Sequence, residues 1–72
     1  MRWINRLTRR RVVCHLKDGT SLRGWLTHTY QDALILANAD ALAGDLSTPI
    51  DGEAVIPRTN LAWIQDLGAG DA

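Results

Sequence analysis

The chain has 72 residues, eight Lys and Arg against eight Asp and Glu, and a single cysteine. That length gives one domain, burying only roughly 60% of its unfolded surface. One cysteine excludes an internal disulfide, and Cys14, His15 and His28 lack the tight paired spacing of a zinc cluster, so the remaining way to stabilise so small a core is to associate with other copies.

Residues 2–8 read R-W-I-N-R-L-T, placing Trp3, Ile4 and Leu7 on one helical face and Arg2, Arg6 and Arg9 largely on the other. The spacing predicts a short amphipathic helix over 1–9 that needs a surface to dock on. A first strand is predicted over 10–17. Asp18-Gly19 follows, a strong hairpin signal because glycine accepts positive φ without steric cost. A second strand over 21–29 places Leu22 and Leu26 inward, with Gly24 on the same parity marking a bend or a close backbone approach. Trp25, on the opposite parity, is the better interface candidate of Trp25 and Trp63. A third strand runs over 33–39. Residues 40–52 read as a loop, because Gly44, Pro49 and Asp51-Gly52 interrupt regular structure, with Leu42, Leu46 and Ile50 tucking it down. A fourth strand over 53–57 ends at Pro57, which lacks the N–H of a central strand, and a fifth runs over 61–66. Residues 68–72 form a flexible tail. The fold class is mainly β: a short N-terminal helix plus a five-stranded, strongly bent antiparallel SH3-like barrel, in one domain over 1–67 with the barrel at 10–67.

The charge balance hides a division. Residues 1–24 hold seven Arg and Lys against Asp18 alone, and residues 25–72 hold Arg58 alone against seven Asp and Glu. Such a split suggests a basic face and an acidic face. The basic one suits a polyanion, or the two pair between subunits of an assembly. No apolar run approaches the ~20 residues needed to cross a bilayer, and 1–11 lacks a signal-peptide h-region, so a cytoplasmic location is expected without a membrane partner. No nucleophile–base pair, paired catalytic carboxylates or phosphate-binding glycine loop is present, so no enzyme, cofactor or metal site is expected.

The order helix, three strands, variable loop and two strands resembles the Sm-like family, which includes Sm, LSm and the bacterial host factor Hfq. The first motif is V-C-H-L-K-D-G-T-S-L-R-G-W-L followed by Y-Q-D-A-L-I-L, and the second is E-A-V-I-P-R-T-N-L-A-W-I at 53–64. Together they cover about residues 10–66. The resemblance implies an Sm-like barrel and a homo-oligomeric ring, hexameric or heptameric, built by pairing the fourth strand of one copy with the fifth of the next. It also implies that RNA bases are held by two loops. In the first, Tyr30 or His28 stacks a base and Gln31 or Asp32 bonds its edge. In the second, Arg58 supplies a cation and Asn60 an edge contact. Two departures stand out: the family's Asn position falls at Ala33 or Leu34, and its Arg-Gly has become Pro57-Arg58. The clustered Arg2, Arg6, Arg9, Arg10 and Arg11 suit phosphate contacts or a solvated helix-to-strand junction. Short Sm-like proteins also occur in actinobacterial phages, whose GC-rich coding suits this Lys-poor composition; the cytoplasm would then be the host's. The leading expectation is a non-catalytic ring binding single-stranded RNA, the alternative a structural or assembly ring binding protein.

Overall fold

A computed structural model describes Ile4 and residues 6–69. Its strands are β1 (Arg11–Leu16), β2 (Ser21–Thr29), β3 (Ala33–Ala43), β4 (Leu46–Pro49), β5 (Ala54–Pro57) and β6 (Leu61–Gly68), with a short 3-10 turn at Arg58–Asn60 between the last two. All pairings are antiparallel, in the order β4–β3–β2–β1–β6. β5 lies beside the first half of β3, so β4 and β5 share one edge of that strand.

β1 and β2 are joined as the Asp-Gly signal requires. Leu16 accepts from the Gly19 amide at 3.1 Å, and Gly19 takes φ +95°, the left-handed residue that closes a three-residue hairpin. The Asp18 carboxylate accepts from both the amide and the hydroxyl of Thr20, at 3.0 and 2.7 Å, which fixes the turn from its side chain.

The sheet curls where β2 crosses β3. The pairing shifts register between Arg23 and Trp25, and on β3 Asn38 takes a positive φ of 50°. There Gly24 meets the partner backbone: a Cβ would stand 3.0 Å from the Ala37 carbonyl oxygen and 3.1 Å from the Ala39 Cα. The close approach expected from sequence is therefore the physical reason for glycine. Gly24→Ala should destabilise the fold by about 1–3 kcal/mol, because the backbone must move to admit a methyl group. Chemical denaturation at constant oligomeric state measures it, and an unchanged midpoint would contradict the crowding.

The bend closes the sheet on a core of Ile4, Val12, Cys14, Leu26, Leu34, Leu36, Ala39, Ala54 and Ile56, with Leu7, Leu16, Leu22, Ile50, Leu61 and Ile64 packed against it. β1 contributes alternate residues Val12 and Cys14, as period-two patterning demands. Cys14 is fully buried, and burial pushes its thiol up to about 11. It acts as a small core hydrophobe.

Three expectations change. The predicted N-terminal helix falls partly on residues 1–3 and 5, outside the described residues. Residues 6–9 form turns instead, with i to i−3 bonds from the Leu7 amide to Ile4 and from the Arg10 amide to Leu7, at 2.9 and 3.0 Å. The apolar pair still acts as predicted, since Ile4 is buried and Leu7 packs on the core. Second, the predicted loop over 40–52 contains a strand, giving six strands in place of five. β3 runs on to Ala43 and β4 returns along it, from Ala43 opposite Leu46 to Asp40 opposite Pro49. Gly44, read as a breaker, has φ +59° and forms the hairpin turn with Asp45. Pro49 sits at the end of an edge strand, where a missing N–H breaks no ladder. Third, Leu46 does not tuck down but is 72% exposed at the hairpin tip, whereas Ile50 does reach the core.

Candidate functional site

The β2–β3 loop and the β5–β6 connection converge. Residues 30–33 form a tight turn closed by the Tyr30 amide donating to the Ala33 carbonyl at 2.8 Å. Arg58 captures this turn twice. Its backbone amide donates to the Asp32 carbonyl at 2.9 Å, and its Nε donates to the Tyr30 carbonyl at 2.7 Å. Pro57, with φ −62°, ends β5 opposite Ala33, which delivers Arg58 to that position. Tyr30 is thereby held with its ring in the open, 52% exposed. The exposed His28 ring lies almost parallel to it, 5° between planes and 6.0 Å between centroids. Gln31 and Asp32 are exposed beside them at the turn. The family-like residues His28, Tyr30, Gln31, Asp32 and Arg58 are thus gathered in one place by two loops.

Asn60 is turned elsewhere. Its carbonyl accepts from the Lys17 amide at 2.7 Å. The Asp18 carboxyl is held below its usual range by the Thr20 hydroxyl first, then the Thr20 amide, with the Asn60 side chain a smaller contributor. Asn60 therefore serves the β1–β2 turn.

The basic segment divides as well. Arg2 lies outside the described residues. Arg6 and Arg9 are exposed, and Arg9 takes φ +71°, its amide donating to the Leu26 carbonyl. Arg10 is spoken for: its Nε lies 3.0 and 3.2 Å from the two Asp66 carboxylate oxygens. That hydrogen bond, followed by the Gly68 amide, holds the Asp66 carboxyl below its usual range. Arg23 pairs with Asp40 at 3.1 Å. Both ion pairs join a cation of the basic third to an anion of the acidic remainder, so part of the division closes within one chain. Arg6, Arg9, Arg11, Lys17 and Arg58 have no ion-pair partner among the described residues.

Among the described residues three strands have an open edge: β4 and β5 each pair with β3 alone, and β6 pairs with β1 alone. β5 and β6 are the two that the fourth-to-fifth-strand pairing between copies would use. They carry exposed apolar side chains, Val55 on β5 and Trp63 and Leu67 on β6, at 62%, 55% and 42% exposure. Of the two tryptophans weighed as interface candidates, Trp63 is the open one and Trp25 is half-buried. Among the described residues no three His, Cys, Asp or Glu side chains gather into a metal-ligand set, and no helix is long and apolar enough to cross a membrane.

Known structures share this architecture. The Sm protein of Pyrococcus abyssii, solved in complex with a uridine heptamer, superposes with a TM-score of 0.81 at 26% identity, over 90% of this chain and 93% of the other. A heptameric archaeal Sm protein gives a TM-score of 0.83 at 20% identity, over 93% and 98%. A chain of the NatC complex bound to CoA gives 0.75 at 19% identity, over 86% and 80%. No family model matches the sequence, and no curated protein matches it. The chain has the Sm-like fold. Both Sm proteins are archaeal, and the expectation of a phage source draws no support from them.

Proposed function

We propose that this chain is a non-catalytic, ring-forming protein that binds single-stranded RNA at the convergence of the β2–β3 and β5–β6 loops. The observation that carries the reading is the capture of the Tyr30 turn by Arg58, which presents two near-parallel aromatic rings beside the exposed Gln31 and Asp32. Splayed bases are recognised by aromatic stacking and edge contacts of this kind. The likeness to an Sm protein solved with a uridine heptamer supports uridine-rich RNA as the first ligand to test. The edges support ring formation: β5 of one copy placed beside β6 of the next removes both, and the likeness to a heptameric Sm protein supports seven copies within the expected six or seven. A cytoplasmic location fits this role.

The basic segment supplies the charge. In a ring, Arg6, Arg9 and Arg11 recur around one assembly, and repeated cations give sequence-independent, salt-dependent affinity. Changing Arg9, Arg10 and Arg11 together to Ala should flatten the dependence of affinity on salt. Arg9 and Arg11 should account for most of the change, because Arg10 is already paired with Asp66. Fluorescence anisotropy of a labelled uridine oligomer across a salt series measures this, and a wild-type slope in the triple variant would remove the segment from the binding surface.

One observation favours the alternative, a structural or assembly ring that binds protein. Arg10 and Arg23 are neutralised internally, which lowers the cationic charge available to a polyanion. The absorbance ratio of the purified protein before and after a high-salt wash separates the two readings. Co-purifying nucleic acid released by salt supports the leader, and no RNA affinity even at low salt supports the assembly ring.

A further inference from the structure

Trp25 lies outside the Tyr30 turn and outside the strand edges that a ring would close, since β2 is flanked by β1 and β3. Gly24 and Leu26 on either side of it are buried, so the alternation of the strand turns the half-buried Trp25 indole to the outer face. Arg11 stands directly opposite it on β1. The Leu26 amide donates to the Arg10 carbonyl at 3.0 Å, and bonded and non-bonded pairs alternate along an antiparallel ladder. Arg11 and Trp25 therefore form a non-bonded pair, the kind whose side chains approach more closely. Arg9 reaches the same place from the preceding turn, its amide bonded to the Leu26 carbonyl at 2.6 Å. Opposite Trp25 on β3 is Ala37, whose methyl group can cover little of an indole.

The charges around this indole leave one sign uncompensated. Two neighbouring carboxylates are in ion pairs, Asp66 with Arg10 at 3.0 Å and Asp40 with Arg23 at 3.1 Å. Glu53 comes one place before the Ala54–Leu36 pair and so lies beyond Ala37, about two strand spacings or roughly 10 Å from Trp25 and further still from Arg11. That exceeds the ~8 Å over which charges act at physiological salt. Arg9 and Arg11 have no ion-pair partner among the described residues. The Trp25 indole N–H has no hydrogen-bond partner there either, and it is not buried. Unpartnered donors beside an aromatic ring suit a strand that brings phosphate oxygens and base faces together. An apolar protein surface would leave the same donors unsatisfied.

We propose that Trp25, with Arg11 and Arg9, is a base-stacking contact for single-stranded RNA on the outer face of the sheet, separate from the Tyr30 turn. The basic segment then holds a base as well as phosphates. The site is complete within one chain and stays open when β5 and β6 are paired between copies, because β1 and β2 are not the joining strands. This proposal rests on the RNA reading above.

The experiment follows a labelled uridine oligomer by anisotropy across a salt series, on wild type, Trp25→Leu and Arg11→Ala at verified assembly mass. Trp25→Leu should lose roughly fivefold or more in affinity at an unchanged salt slope, because it removes a stacked base and no phosphate contact. Arg11→Ala should weaken binding and lower the slope by about one. A fluorescence measurement separates contact from support of the fold. Trp3→Phe combined with Trp63→Phe leaves Trp25 as the sole tryptophan, and saturating oligomer should quench its emission. This variant carries the test if Trp25→Leu loses its assembly mass. Unquenched emission, or wild-type affinity in Trp25→Leu, overturns the stacking contact, while an affinity loss in Tyr30→Ala keeps the RNA reading intact. A loss in Arg11→Ala alone makes the segment a phosphate contact and also overturns the stack. Failure of wild type to bind overturns the RNA reading itself.

Discussion

Replacing Val55 with lysine is expected to dissolve the assembly while leaving the barrel folded. Val55 is 62% exposed on the free strand β5, so a charge there meets water in the single chain and costs the fold little. In the ring it would lie where β6 of the next copy brings Trp63 and Leu67, and the join would have to desolvate an unpaired ammonium. Wild type should scatter light at micromolar concentration as six or seven copies of the 8.0 kDa chain, and Val55→Lys should fall toward the single-chain mass with its β-sheet circular dichroism retained. A folded 8.0 kDa wild-type monomer would sink the ring. A ring that survives Val55→Lys would place the interface on another surface, such as the exposed β3–β4 hairpin.

The second large effect is expected at the Tyr30 turn. Tyr30→Ala should cost about 1–3 kcal/mol of RNA binding, the worth of one base stacked on an aromatic ring, or roughly five- to hundredfold in affinity. Arg58→Ala should cost a comparable amount for a different reason. Its Nε is committed to the Tyr30 carbonyl, so losing it frees the turn that aims the ring. The backbone bond from Arg58 to Asp32 survives the substitution, so the loop loosens without unfolding. A positioning role therefore predicts lost affinity at an unchanged salt slope. A slope reduced by about one would make the guanidinium a phosphate contact instead. Both variants must keep wild-type mass, because an affinity loss with a broken ring says nothing about the turn. Wild-type affinity in both intact rings would rule out this site and leave the basic segment.

Much of this could be read in the chain itself. The Asp18-Gly19 turn, the strands around it and the tight fit at Gly24 are local or nearly local, so turn chemistry and period-two patterning specify them. The candidates in the 28–32 loop came from the family resemblance, and the burial of Cys14 in the core was not read from the sequence. Nor was the β3–β4 hairpin. Gly44 and Pro49 disrupt a helix or a central strand but are acceptable in a hairpin turn and at an edge, and only the position of β4 at the rim shows which context applies. The N-terminal pattern foretold that Ile4 and Leu7 would dock on the rest of the fold, because a docking face needs apolar groups whatever the backbone does; Ile4 is buried and Leu7 partly so. It did not foretell the turns over 6–9.

Side-chain partnerships across the sheet were the least accessible to sequence. Arg10 and Asp66 stand 56 residues apart, and Arg58 and Tyr30 stand 28 apart. His15 meets Trp63 only because β6 returns along β1 in that register. The sequence by itself determined the local turns, the alternation and the division of charge, since each depends on neighbours within a few residues. Only the tertiary structure decided which cations are spent on internal partners, which loop holds Tyr30 and which tryptophan faces water. Those outcomes depend on strand register, and a shift of one residue exchanges the two faces of a strand.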